Sequence, residues 1–86
     1  MSSANPLIIA AQIRAARGLL GLSQTTLSDL ADVGIATVKR LELATEITAS
    51  ARTLIKIQSA LETAGVEFLP GNDAQGPGVR LKLPKK

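Results

Sequence analysis

Apolar residues recur at helical spacing through the first 65 positions and then switch to strict alternation. Asn5-Pro6 reads as a helix start, with Asn as N-cap and Pro in the first turn. Ile9, Ile13, Ala16 and Leu20 follow near helical spacing, and Gly21 supplies the stop. Ser23 caps a second helix that turns Leu27, Leu30 and Ala31 inward. A third helix runs from about Gly34 to Leu43 or Ala44. Ser50 caps a fourth, whose Leu54, Ile57 and Leu61 face the core, and Gly65 ends it. Beyond Gly65, Val66 and Phe68 alternate with Glu67, and Val79, Leu81 and Leu83 alternate with Arg80 and Lys82. These are two strand patterns. The segment between them, Pro70 to Gly78, is turn-forming and long for a hairpin loop. Pro84-Lys85-Lys86 reads as a frayed end.

This pattern predicts a mainly α chain in two parts: a four-helix domain over 1–65 and a C-terminal β-hairpin over 66–86. At 86 residues the core is small, so stability is marginal without support. The chain has no Cys, which removes disulfides and thiolate metal sites and fits a reducing compartment. Oligomerisation is the remaining common route to added stability. The chain has no His either, so the commonest general base and metal ligand are absent. The acidic residues are scattered singly, and no nucleophile elbow or phosphate-cradling glycine loop occurs. No catalytic centre, cofactor or metal is expected. The run Leu7 to Ala11 is too short to span a bilayer, and Arg14 and Arg17 follow at once, so no membrane association is expected and the cytoplasm is the expected location.

The formal charge is +3, but its distribution matters more. Before residue 66, Arg14, Arg17, Lys39, Arg40, Arg52 and Lys56 face Asp29, Asp32, Glu42, Glu46 and Glu62, which is near balance. The excess sits in the tail with Arg80, Lys82, Lys85 and Lys86. Any binding of nucleic acid must come from where bases are placed. The stretch from Ser23 to Glu42 places them suggestively. It reads as two short helices around a tight turn, with Thr37, Lys39 and Arg40 outside on the second and Val38 and Leu41 inside. That is the layout of a helix-turn-helix, which sets one helix in the DNA major groove. The turn needs a positive φ; Asp32 tolerates it, and Gly34 falls at the N-cap of the third helix. On this reading Arg14, Arg52 and Lys56 are charges on exposed helix faces, with Arg52 the best placed of them for a phosphate.

Ser23-Gln24, the Leu27, Ala31, Val33 spacing, Thr37-Val38 with Leu41-Glu42, and Thr53-Leu54 with Ile57 and Ala60-Leu61 resemble the Cro and lambda-repressor-like, or XRE, helix-turn-helix family from about Ile13 to Gly65. The resemblance implies double-stranded DNA as partner and a lambda-repressor-like fold. It places Gln24 on phosphate, and Ile35, Ala36 and Arg40 at the outward positions that meet base edges, with Thr37 and Lys39 beside them. It implies a structural salt bridge between Arg17 and Glu42. Ile35 and Ala36 depart from the family's usual polar residues and can only touch thymine methyls or exclude polar edges. Polar readout then rests on Arg40, and more weight falls on phosphate contacts and DNA shape. Ser28 stands where the family has a small Ala and fits by size.

A lone two-stranded hairpin is marginal in water. This one must hide Val66, Phe68, Val79, Leu81 and Leu83, either on its own helices or against a second subunit. The homodimer is the expectation, because paired recognition helices read two half-sites. Glu67 is expected to pair with Arg80 or Lys82 across the strands. The function expected is a sequence-specific, homodimeric transcriptional regulator. Two alternatives stand beside it: the DNA-binding antitoxin of a toxin–antitoxin pair, whose tail holds a toxin partner, and a protein-interaction module on the same fold that has lost DNA binding, for which the apolar Ile35 and Ala36 argue.

Overall fold

The computed structural model describes residues 10–43 and 49–83. Four helices, α1 (Ala10–Leu20), α2 (Gln24–Ala31), α3 (Ile35–Leu43) and α4 (Ala51–Ala64), precede an antiparallel hairpin of β1 (Val66–Leu69) and β2 (Gly78–Leu81). The expected helix start at Asn5-Pro6, Ile9, Ala44 and the terminal Pro84-Lys85-Lys86 lie outside the described residues.

Local chemistry sets the helix ends. Gly21 takes φ +70, and the Leu22 N–H reaches back to the Arg17 carbonyl at 3.0 Å, closing α1. Ser23 Oγ accepts from the Thr26 N–H at 3.0 Å and caps α2. Asp32 ends α2 in the left-handed conformation, φ 57 and ψ 49, and the Val33 N–H bonds the Ser28 carbonyl. Lys56 completes this end from α4: its Nζ donates to the Asp32 carbonyl at 3.2 Å. Ser50 caps α4 through the Thr53 N–H, and Gly65 at φ +128 turns the chain into β1.

The core is built from one stripe of each helix: Ile13 and Ala16 of α1, Leu27 and Ala31 of α2, Val38 and Leu41 of α3, and Leu54, Ile57 and Leu61 of α4. Val66 of β1 joins them with no exposed surface. The hairpin is therefore a wall of the same core, and the expected boundary after residue 65 does not separate two cores. Ser28 is buried beside them, its hydroxyl donating to the Thr25 carbonyl at 2.8 Å, as its size allows.

Leu30 corrects the expected inward set, being 55% exposed. Each helical residue turns about 100°. Leu27, Ser28 and Ala31 span the buried arc of α2, and Leu30 falls well outside it. It instead borders an open groove between α2 and α4 with Lys56, Ala60 and Thr63.

In the hairpin, Val66 pairs with Leu81, Glu67 with Arg80, Phe68 with Val79 and Leu69 with Gly78. The register selects Arg80 as the partner of Glu67, at 3.0 Å. Phe68 and Val79 are half-buried against the core, whereas Leu81 is 50% exposed and Leu83, beyond the strand, 90%. The apolar face is thus covered along β1 by the core, and it opens to solvent at Leu81 and beyond on the β2 side. Buried Gln12 of α1 fastens the loop end of the hairpin: its Nε2 donates to the Gly78 carbonyl at 2.8 Å, with the Leu69 carbonyl at 3.5 Å. Lys82 fastens the other, its Nζ bonding the Glu62 carbonyl at 2.9 Å. The connecting loop turns on Asn72, whose Oδ1 accepts from the Ala74 and Gln75 N–H groups, both at 2.8 Å.

Candidate nucleic-acid interface

Nine residues of α3 divide sharply. Val38, Leu41 and Glu42 are buried, Ile35 and Thr37 are half-buried, and Ala36, Lys39, Arg40 and Leu43 face solvent. At the N-terminal end, Gly34 brings no capping side chain; its carbonyl accepts from the Thr37 and Val38 N–H groups at 3.0 and 3.2 Å. Lys39 and Arg40 make no ion pair or hydrogen bond among the described residues. Two cations side by side on a short helix, with no acidic partner among the described residues, offer a face to an external anion. Arg52, exposed in the first turn of α4, is likewise unpaired among the described residues.

The inner side of α3 is held by an ionic centre. Arg17 of α1 donates through Nε to Glu42 Oε2 at 2.8 Å and through a terminal nitrogen to Oε1 at 2.9 Å. Its other terminal nitrogen reaches the Leu22 carbonyl at 3.0 Å. Gln24, first residue of α2, donates from Nε2 to the same Glu42 Oε1 at 3.0 Å. Arg14 donates to the backbone carbonyl of Glu42. Burial works to raise the Glu42 carboxyl, but the hydrogen bonds from Arg17 and Gln24 and the charges of Arg17 and Arg14 outweigh it, so its pKa lies below the ordinary carboxylate value. The Glu42 hydrogen bond holds the Arg17 pKa up in turn.

The structure therefore joins Arg17 to Glu42 as expected, and it sets Ile35, Ala36, Lys39 and Arg40 along one side of α3. Gln24 is half-buried and tied to Glu42; one amide N–H and the carbonyl oxygen remain beyond that bond. Two groups escaped the sequence reading. Arg14, expected as a solvated charge, binds α3; its position three residues before Arg17, on the same helix face, was the available signal. Lys56, also expected on an exposed face, bonds the α2 terminus.

A protein-family model described as helix-turn-helix matches residues 13–68, about two thirds of the chain. This chain belongs to the helix-turn-helix family. It is a DNA-binding helix-turn-helix domain of the XRE, lambda-repressor-like type, with α2 and α3 as the motif. The family match runs into β1, in keeping with Val66 as a core residue. No curated protein matches the chain. No helix among the described residues of this helix-turn-helix domain is long and apolar enough to cross a membrane.

Proposed function

We propose that the chain is a sequence-specific transcriptional regulator that binds DNA as a homodimer, with α3 in the major groove. The observation that carries this reading is the face of α3. Lys39 and Arg40, unpaired among the described residues, project from a helix whose opposite side is bolted to the core through Glu42. Arg40 bonds a guanine edge, Ile35 and Ala36 abut thymine methyls, and Gly34, Thr37 and Lys39 flank them. Gln24, through the part of its amide that Glu42 leaves, and Arg52 contact phosphate on either side.

The second copy joins through the hairpin. Val66 is spent on its own core, so the joining surface is Leu81 and Leu83 with the outer rims of Phe68 and Val79. Exposed leucines beside an open strand edge favour such a contact. Sedimentation is expected to give a dimer at micromolar concentration and a monomer for Leu81→Arg; a wild-type monomer at high micromolar concentration removes the dimer.

Selection of bound sequences from a random duplex pool tests the function as a whole. A two-fold-related motif is expected, with affinity falling steeply between low and moderate salt. No duplex binding even at low salt overturns the DNA reading.

A further inference from the structure

We infer that Arg14 is a positioning residue for the recognition helix, acting through the Glu42 backbone and not through contact with DNA. This rests on α3 being the reading element.

Residues from two other elements converge on Glu42. Arg17 and Gln24 take its carboxylate, and Arg14 takes its carbonyl. That carbonyl is among the last four of α3, which have no acceptor role inside the helix. A guanidinium there satisfies an orphan acceptor and complements the negative helix end. The opposite end has only Gly34, so the side-chain fastening of α3 is concentrated at its C-terminal turn. A helix of this length has little stability of its own and sits where its attachments put it.

The groups placed on DNA hang from that attachment. Arg40 lies two residues before Glu42, about 3 Å along the axis. Gln24 touches the Glu42 side chain directly. Arg17 fixes the carboxylate, but a side chain can rotate about its own bonds; among the described residues it is the Arg14 bond that ties an α1 side chain to the α3 backbone itself. Releasing it loosens the aim of Arg40 and Gln24 while every positive charge on the DNA-facing surface stays in place.

The experiment compares wild type, Arg14→Ala, Arg14→Lys and Ile57→Val on two duplexes, one selected by wild type and one scrambled, across a salt series. For Arg14→Ala, the ratio of the two affinities is expected to fall about tenfold, with scrambled-duplex affinity and salt slope unchanged. Arg14→Lys, which keeps a donor, recovers most of the ratio. Ile57→Val, which trims the core from α4 and removes no hydrogen bond to Glu42 or the hairpin, lowers the melting temperature and leaves the ratio intact. A salt slope reduced by about one with equal loss on both duplexes makes Arg14 a phosphate contact and overturns the inference. An unchanged ratio overturns it also, as does an Ile57→Val ratio that falls equally. Wild-type protein that binds neither duplex removes the DNA reading first, and this inference with it.

Discussion

Arg17 grips Glu42 through two parallel N–H···O bonds of 2.8 and 2.9 Å, with the carboxylate side chain only 4% exposed. Such fork-shaped pairs fix orientation as well as distance. Removing one partner leaves the other charge poorly compensated. Arg17→Ala is expected to destabilise the fold by about 3 kcal/mol, and Glu42→Ala by a similar amount. The double variant should cost less than the two singles together, which urea unfolding of all four proteins will measure.

The same pair predicts an acid limb. The folded-state pKa of Glu42 is depressed, so its contribution is complete above the unfolded value of about 4.3 and is lost as pH falls below it through the folded value. Glu67 is depressed in the same sense, first through its hydrogen bond from Arg80, but it is exposed and screened by salt. Glu42→Gln should flatten the loss of stability between about pH 4.3 and lower pH. Glu67→Gln should do so weakly, and only at low ionic strength. Melting temperature against pH at two salt concentrations checks both.

Arg40→Ala should relax base preference at one position of the selected site, by about 1–3 kcal/mol of discrimination. Lys39→Ala and Arg52→Ala should instead weaken binding evenly and lower the salt slope by about one each. Titrations on matched and single-substituted duplexes separate the two patterns. An Arg40 variant that keeps both affinity and preference places the wrong face of α3 in the groove.

Asp32 holds φ 57 at the turn before α3. A β-branched side chain tolerates that conformation poorly, so Asp32→Val should destabilise by about 1–2 kcal/mol. Asp32→Gly should be neutral or slightly stabilising. Lys56 supports the turn through the Asp32 backbone carbonyl, which both variants retain; its 3.8 Å pairing with the exposed Asp32 carboxylate is lost in both and is worth little. Thermal melts of the two variants suffice.

What was legible in the sequence was local. Ser23 and Ser50 as caps, Asp32 in the turn and Gly65 as a stop each follow from a residue and its near neighbours. The Arg17–Glu42 bridge came from the family resemblance and is present. Leu30 was misread because α2 has only two turns; Ala31 takes the inward position and leaves Leu30 at the flank. Gln12 gave no signal, since a polar residue beside Ile13 looks solvated until the hairpin carbonyls arrive from far along the chain. Arg14 escaped for a related reason: its acceptor is a backbone atom on another helix, which its place on the Arg17 face of α1 hints at but does not identify.

The bond from Gln12 to Gly78 joins positions 66 residues apart. Val66 likewise closes a core that begins at Ile13. Contacts of such separation carry a loop-closure cost that the packing of the hairpin must offset. The four helices alone carry α3 without the wall that Val66 adds to their core. The hairpin is therefore part of what supports α3, and helices cut off before Val66 lack one wall of their own core.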